Sequence, residues 1–332
     1  MTDNWKVLST TRLHLDAAAM LKGIASLEEN PLPPIPLRMF TKRELLEKVR
    51  DVDAVILFGE EFDREIIFAA NRLKIIARHG VGYQNIDLKA AAEKGIYVTY
   101  APIASLAITV AEHAIALMFA LARDLLRADR YVRDGVWTLG SAWPPMVECM
   151  HGKVLGVLGL GRIGHEVARM ATCFGMKVIY HNRTRKVALE KQLGIEYADL
   201  DELIRRSDFV SICIPLTDET RGMIGGRELG LMKKTSYLIN VARGPVVDQD
   251  ALYDALSSRE IAGAGLECFG RFCEEPPAVD DPILMLDNVI LTPHNSTLSE
   301  EVYREVGITV VSDVLRVLRG QEPLNIVVGP GH

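Results

Sequence analysis

Lys153 to Arg185 reads KVLGVLGLGRIGHEVARMATCFGMKVIYHNRTR and carries the strongest fold signal in this chain of 332 residues. The segment opens with an apolar run, Val154 to Leu158, whose lack of polar alternation is typical of a strand buried on both faces of a parallel sheet. A glycine-rich turn, a helical pattern and a second apolar run at Val178 to Tyr180 follow. This order predicts a strand–turn–helix–strand unit of a doubly wound α/β domain.

The turn in this unit, Gly159-Leu160-Gly161-Arg162-Ile163-Gly164, fits the pattern G-x-G-x-x-G. The first glycine allows a sharp turn, the second lets backbone N–H groups approach a pyrophosphate, and the third lets the helix pack closely on the strand. The helix N-terminus adds partial positive charge toward the phosphates. The alternative is a glycine-rich turn in another α/β fold. The context favours a dinucleotide site at Gly159, Gly161 and Gly164.

The end of the second strand indicates which dinucleotide is bound. An NAD site usually places Asp or Glu about 20 residues after the glycines, where it accepts hydrogen bonds from the ribose. Here the strand ends in His181-Asn182-Arg183-Thr184-Arg185-Lys186, without an acidic residue. Because basic and hydroxyl-bearing side chains attract a 2′-phosphate, this end favours NADP(H), while NAD(H) stays possible. The alternative is a solvated basic loop.

Composition limits the class of protein. A chain of this length suggests two domains, and 48% hydrophobic with 25% charged residues is typical of a soluble globular protein. The formal charge of −6 argues against a nucleic-acid-binding surface. Five cysteines fit neither a disulfide framework nor a zinc spacing, which predicts cytoplasmic thiols and no metal site. We expect no membrane span, because the longest apolar stretch, Leu106 to Ala122, contains Glu112 and His113.

Two further segments before the glycine-rich turn are informative. A predicted strand at Leu73 to Ala77 runs into Arg78-His79-Gly80-Val81-Gly82. Ligands bind beyond the carboxyl ends of strands in open α/β sheets, so the backbone N–H groups of Val81 and Gly82 can hold a carboxylate. An ordinary strand-to-helix turn is the alternative. From Thr109 to about Arg130 we predict one long helix, buried on two sides, that bridges the domains and contributes to a subunit contact.

Three ionisable residues follow predicted strands or loops of one sheet: Arg243, Glu275 and His294. Hydride transfer to a 2-keto acid makes an alkoxide that needs a proton, and His294 can donate it because imidazole titrates near neutral pH. A carboxylate such as Glu275 favours the imidazolium, and the guanidinium of Arg243 can hold carboxylate and carbonyl oxygens together. A buried structural histidine is the alternative for His294 alone.

The chain resembles the D-isomer-specific 2-hydroxyacid dehydrogenases over nearly its whole length. The resemblance implies catalytic roles for Arg243, Glu275 and His294, and a substrate-carboxylate loop at Val81-Gly82. The matching segments are ARHGVGYQNID at Ala77–Asp87, TVAEHAIALM at Thr109–Met118, GKVLGVLGLGRIG at Gly152–Gly164, PLTDET at Pro215–Thr220, NVARGPVVD at Asn240–Asp248, IAGAGLECF at Ile261–Phe269 and LTPH at Leu291–His294.

The resemblance also implies the architecture and the activity. We expect two Rossmann-like, doubly wound parallel-sheet domains: a discontinuous substrate domain (1–104 plus 298–332) and an inserted dinucleotide-binding domain (105–297) that forms a homodimer. The segment HNRTR at His181–Arg185 is similar to the corresponding strand end of the NADP-preferring glyoxylate/hydroxypyruvate reductases. The implied reaction is reduction of a small anionic 2-keto acid to a D-2-hydroxy acid, or the reverse.

The resemblance assigns further residues to the cofactor and the substrate. Substrate contacts are expected from Arg78 and Arg243, besides Val81 and Gly82. Expected cofactor contacts, besides the three glycines, are Thr109, Arg162, Ile163, Asn182, Arg183, Thr184, Ile214, Pro215, Thr220, Val241, Ala242, Arg243, Glu267 and His294.

Four departures from the family pattern lie near the expected cleft. Glu267 replaces the usual Asp of L-D-V-F, a position that normally meets the nicotinamide carboxamide. The loop before Glu275 is longer than usual, which makes Glu274 a rival for the acidic role. Position 84 is Gln, where the family often has Asp. Asn295-Ser296-Thr297 follows His294 in place of the usual Ile-Gly or Ile-Ala. Two alternatives therefore stay open: a dinucleotide-sensing scaffold of the corepressor type, and an enzyme of this fold for phosphoglycerate or phosphite.

Overall fold

The computed structural model describes residues 5–30, 39–138, 146–270, 278 and 280–330. The chain divides into two compact units. Unit 1 comprises Met1–Leu106 and Leu298–His332, and unit 2 comprises Ala107–Thr297.

Strands and helices alternate along both units, as expected for an α/β protein. The strands are β1 (Trp5–Ser9), β2 (Ala25–Glu29), β3 (Ala54–Leu57), β4 (Ile75–Arg78), β5 (Tyr97–Thr99), β6 (Val154–Leu158), β7 (Lys177–His181), β8 (Glu196–Tyr197), β9 (Phe209–Ile212), β10 (Tyr237–Asn240), β11 (Gly263–Leu266), β12 (Val289–Leu291) and β13 (Ile326–Val328). The helices are α1 (Leu15–Leu21), α2 (Lys42–Lys48), α3 (Arg64–Ala69), α4 (Leu88–Glu93), α5 (Ala104–Ala122), α6 (Leu125–Arg133), α7 (Arg162–Cys173), α8 (Val187–Leu193), α9 (Leu200–Arg206), α10 (Gly226–Leu231), α11 (Gln249–Ser257) and α12 (Glu300–Leu318).

The sheet of unit 1 has the strand order β13-β5-β4-β3-β1-β2 and is parallel except for β13, which pairs antiparallel with β5. Its central strands β3 and β4 are buried along their whole length, as their apolar sequences predict. The edge strands β2 and β13 were not predicted, because one is charged and half-exposed and the other has only three residues. α12 packs against α1 so closely that a Cβ on Gly307 would lie 2.9 Å from the Cβ of Ala17.

The sheet of unit 2 has seven strands in the order β12-β11-β10-β9-β6-β7-β8, and every pair is parallel. The chain winds outward from β6 through β7 and β8, and then returns to place β9 on the other side of β6. The order reverses between β6 and β9, and ligands bind at such a switch point in doubly wound sheets. The prediction of two Rossmann-like domains is confirmed.

The prediction of one long helix from Thr109 to about Arg130 is wrong. α5 ends at Ala122, and α6 starts at Leu125 after Asp124, which adopts a left-handed φ of 50°. The Ala122 carbonyl accepts from the backbone N–H of Glu148 at 2.8 Å, so a partner outside the helix satisfies this terminus.

α5 is long and apolar enough to cross a membrane by length and composition alone. A core helix of a folded protein meets the same criterion. The helix packs on the sheet of unit 2, where a Cβ on Gly265 of β11 would lie 3.0 Å from the Cβ of Leu117 and 3.3 Å from Leu121. This contact makes α5 a core helix of unit 2.

Candidate active site

The glycine-rich turn lies at the switch point, between the carboxyl ends of β6 and β9. Gly159 has a φ of 98°, and a Cβ there would lie 2.6 Å from the Ile214 side chain and 2.8 Å from the Cys213 carbonyl oxygen. A Cβ on Gly164 would lie 1.9 Å from the Gly159 carbonyl oxygen, whereas one on Gly161 would meet no described heavy atom within 4 Å. Gly159 and Gly164 therefore allow close packing, and Gly161 leaves open space. This arrangement fits a dinucleotide pyrophosphate.

The first turn of α7 faces the same open space. Gly161 is the N-cap residue, so no side chain caps this helix start, and the partial positive charge of the helix N-terminus favours an anion here. Arg162 is exposed and Ile163 half-buried at this helix start. Asn182 braces the turn, because its Oδ1 accepts from Leu160 N at 3.2 Å and its Nδ2 donates to the Thr184 carbonyl at 2.9 Å. The structure thus shows Asn182 joining the glycine turn to the basic strand end.

The two arginines after β7 have different partners. Arg185 forms a bidentate pair with Glu190, with two N···O distances of 2.8 Å. This pair, together with the Tyr180 hydroxyl, lowers the pKa of Glu190 to about 2. Arg183 and Thr184 are exposed. The pKa of Glu219 is lowered mainly by a hydrogen bond from Thr217, and the charge of Arg183 contributes. Within the described residues, the Arg185 guanidinium is paired with the Glu190 carboxylate, whereas Arg183 forms no bidentate ion pair of this kind.

Arg243 lies three residues after the end of β10 and is half-buried. One nitrogen of its guanidinium donates to the Ala242 carbonyl at 2.7 Å. The buried Asn240 side chain fixes this segment, because its Nδ2 donates to the carbonyls of Arg243 and Cys268 at 3.0 Å and its Oδ1 accepts from Ala242 N at 3.0 Å. Val241 and Ala242 are themselves buried. Asn240 thus joins the loops after β10 and β11.

A second cross-link joins the same two loops. A Cβ on Gly244 would lie 2.5 Å from the Gly270 carbonyl oxygen, so only glycine permits this approach. Gln249 donates from Nε2 to the Gly244 and Val247 carbonyls at 3.0 Å and accepts from Gly270 N at 2.9 Å. Sequence reasoning missed the roles of Asn240 and Gln249. Their amide side chains beside glycine-rich strand ends were the available signal.

His294 is half-buried and adopts a φ of 51°, which is uncommon for a residue other than glycine. Its Nδ1 lies 3.7 Å from the Cys268 Sγ, and its backbone N–H donates to the Thr292 carbonyl at 3.0 Å. The Thr292 hydroxyl in turn lies 2.9 Å from His113 Nε2 on α5. Contacts from α5 and β11 therefore hold the residues around the imidazole.

Glu267 directly follows β11 and is only 3% exposed. Its Oε1 accepts from the backbone N–H of Ser296 at 2.6 Å. The structure therefore places this carboxylate on the loop that follows His294.

Comparison with known proteins identifies the family to which this fold belongs. A family model described as D-isomer specific 2-hydroxyacid dehydrogenase, NAD binding domain, matches residues 115–296. The chain belongs to the D-isomer-specific 2-hydroxyacid dehydrogenase family. It is accordingly an oxidoreductase with a nicotinamide dinucleotide cofactor, and the predicted resemblance is confirmed.

Individual members of the 2-hydroxyacid dehydrogenase family match most of the chain. A glyoxylate reductase of Korarchaeum cryptofilum is 45% identical over 86% of both chains. A D-3-phosphoglycerate dehydrogenase of Methanocaldococcus jannaschii is 40% identical over 97% of this chain and 59% of its own length. The structure of an NADPH-dependent glyoxylate/hydroxypyruvate reductase from Sinorhizobium meliloti, in complex with NADP and malonate, has a TM-score of 0.82 and 29% identity, covering 98% of this chain and 97% of the other.

In unit 1, the loop expected to bind the dehydrogenase substrate follows β4. Val81 and Gly82 are half-buried there, and Gly80 has a φ of 143°. Arg78 is only 6% exposed and donates to the His79 carbonyl at 2.7 Å, and a Cβ on Gly80 would lie 3.2 Å from its guanidinium. The guanidinium therefore lies under the loop as a buried positive charge. Its predicted direct contact with the substrate stays a prediction.

Several other predicted residues have structural contacts or lie outside the described part. Thr220 donates to the Pro215 carbonyl at 2.7 Å and accepts from Thr217 N at 2.8 Å, which fixes the turn after β9. Thr109 is half-buried on α5.

Glu274 and Glu275 lie outside the described residues. Among the described residues, no group of three His, Cys, Asp or Glu side chains is arranged to bind a metal ion.

Proposed function

We propose that this dehydrogenase uses NADP(H) to reduce a small 2-keto acid to the D-2-hydroxy acid, or catalyses the reverse reaction. One observation carries the proposal: Arg243 and His294 follow β10 and β12, whose carboxyl ends lie at the same sheet edge as the glycine turn after β6. Neighbouring strands lie about 4.8 Å apart, so the ends of β10 and β12 are separated by roughly 10 Å. A small carboxylate substrate can contact side chains at both.

The chain's own residues would bind the substrate and move the proton. A bound nicotinamide ring supplies the hydride, or accepts it in the reverse direction. His294 protonates the substrate oxygen, and Glu275 is the proposed carboxylate that favours the imidazolium. Arg243 has guanidinium N–H groups beyond the one that Ala242 holds, and it binds the substrate carboxylate and carbonyl oxygens. The backbone N–H groups of Val81 and Gly82 are the proposed further carboxylate donors.

The preference for NADP(H) over NAD(H) rests on Arg183. Its side chain is exposed after β7, where an NAD site usually has a carboxylate. The Sinorhizobium meliloti relative, whose structure contains NADP, supports the same preference. Glyoxylate and hydroxypyruvate are the proposed substrates, since several relatives are glyoxylate reductases.

The proposed assembly is a homodimer in the cytoplasm, formed through unit 2. The α6 region supports a subunit contact, because it exposes large apolar side chains, among them Leu125, Leu126, Val132 and Trp137.

Steady-state rates with NADPH and NADH test the activity over glyoxylate, hydroxypyruvate, pyruvate, bulkier 2-keto acids and 3-phosphohydroxypyruvate. We expect turnover of the small 2-keto acids, with higher kcat/KM for NADPH. The relative from Methanocaldococcus jannaschii makes the phosphorylated substrate the second candidate. Absence of cofactor oxidation with every acid would favour a dinucleotide-sensing scaffold.

A further inference from the structure

The side chain of Glu267 contacts the loop after the proposed proton donor. Its carboxylate is almost fully buried, and the 2.6 Å bond from Ser296 N to Oε1 is short for an N–H···O hydrogen bond. A hydrogen bond is electrostatically stronger where water is excluded than it is in water. The contact is therefore a strong hydrogen bond that joins the end of β11 to residue 296.

The loop that Glu267 holds is anchored at two points around His294. Thr292 N donates to the Leu266 carbonyl at 3.0 Å, which fixes the loop before the histidine. The Ser296 contact fixes it two residues after the histidine. Because His294 has a left-handed φ, the surrounding contacts must hold its backbone in this conformation.

Side-chain length decides whether this second anchor can form. An aspartate at position 267 is shorter by one methylene, or roughly 1.5 Å. With the backbone of β11 held in its ladder, the Asp carboxylate would end about 4 Å from Ser296 N, beyond hydrogen-bonding distance. Glu267, one of the departures noted in the sequence, thus contacts the backbone of the segment Asn295-Ser296-Thr297, which is another.

We propose that Glu267 is a positioning residue, which holds the His294 loop in its reactive conformation through the Ser296 N–H group. The proposal rests on the proposed function of His294 as proton donor. Glu267 sets the position of the imidazole relative to the substrate, whatever contact it also makes with the cofactor. A displacement of the proton donor by about 1 Å lowers the rate of the chemical step severely.

Two variants of the full-length protein distinguish the effect of side-chain length from that of charge. Glu267→Gln keeps an acceptor oxygen at the same distance, whereas Glu267→Asp keeps the carboxylate but is too short to contact Ser296 N. Glu260→Asp, at an exposed glutamate shortly before β11, is the matched control for the same chemical change. The measurements are hydrogen exchange of the peptide that contains Ser296, kcat with glyoxylate, and the KM for NADPH.

We expect faster exchange at Ser296 and a kcat lowered about 10-fold or more in Glu267→Asp, with a KM for NADPH within about 3-fold of the wild-type value. Glu267→Gln should retain most of the protection and turnover, and Glu260→Asp should match the wild type. Normal exchange and kcat in Glu267→Asp would overturn the proposal. So would an effect confined to the KM for NADPH, which would show a cofactor contact instead.

The exchange measurement also separates this proposal from the proposed function. If the wild type turns over none of the 2-keto acids, the reductase assignment fails. Exchange at Ser296 that rises in Glu267→Asp but not in Glu267→Gln would still establish the loop contact. Equal exchange in both variants would overturn it independently of activity.

Discussion

The carboxyl edges of the two sheets differ in how they use charged side chains. In unit 1, Arg78, His79 and Glu60 lie at or just after the carboxyl ends of β4 and β3, and all three are at least 94% buried. Glu60 accepts from the Thr10 hydroxyl at 2.5 Å and from Phe40 N at 3.3 Å. Groups enclosed in this way contribute to the stability of the fold, whereas Val81 and Gly82 of the loop after β4 are only half-buried.

In unit 2, the corresponding edge presents side chains. Arg183 is exposed, and Arg243 and His294 are half-buried. Buried amides such as Asn240 hold the backbone while the ionisable groups remain accessible. The same parallel architecture thus yields an edge specialised for stability and another suited to chemistry. Substitutions of the accessible side chains in unit 2 should change kinetics, whereas substitution of a buried group of unit 1 such as His79 should change mainly the stability of the fold.

The largest effect is expected from removing the imidazole. His294→Ala should lower kcat at least about 100-fold, because general acid–base groups contribute about 10² to 10⁴ in rate. Binding of NADPH, followed by fluorescence titration, should change little. Turnover near the wild-type value would show that another group donates the proton.

Arg243→Lys should have the next largest effect. An ammonium cannot reproduce the planar fork that binds two oxygens together, and hydrogen bonds to charged groups are worth about 1.5 to 3 kcal/mol. We expect kcat/KM for the 2-keto acid to fall about 10- to 100-fold. Arg259→Lys, at an exposed arginine paired with Asp287, is the control and should behave as the wild type. Equal kcat/KM values for Arg243→Lys and Arg259→Lys would exclude a bidentate role for Arg243.

The sequence was most informative where the signal was local. The turn Gly159–Gly164 was predictable because its glycines stand between an apolar strand and a helix, and the structure shows their packing roles. The links from Asn240 to Cys268 and from Gln249 to Gly270 join residues 28 and 21 positions apart, so the amide residues were visible in the sequence but their partners were not. The break at Asp124 was missed because the apolar pattern on both sides of it continues with helical spacing.

The arginines after β7 offer an internal control within unit 2. Arg183→Ala should raise the KM for NADPH about 10-fold and leave the KM for NADH nearly unchanged, since only the 2′-phosphate is lost as a partner. Arg185→Ala should change neither value much, because its guanidinium is bonded to Glu190. Equal losses for both cofactors in Arg183→Ala, or a larger NADPH effect in Arg185→Ala, would contradict the NADP assignment.

The smallest effect concerns the enclosed edge of unit 1 and appears in stability. Burial, aided by the Arg78 charge, lowers the pKa of His79 to about 3. The unfolded chain takes up this proton near pH 6.5 and the folded chain does not, so stability falls as the pH decreases from about 6.5 toward 3. One proton corresponds to at most about 1.4 kcal/mol per pH unit.

His79→Leu removes this titration. Between pH 7.5 and 5.5 the wild type should lose about 1.4 kcal/mol more unfolding free energy than the variant, as measured by urea denaturation. Between pH 7.5 and 8.5 the two should change equally, because His79 takes up little proton in either state there. The same pH dependence in both chains would mean that the imidazole is charged or accessible in the folded protein. Glyoxylate turnover by the variant at pH 7.5 should stay close to the wild-type value, which distinguishes this edge from that of unit 2.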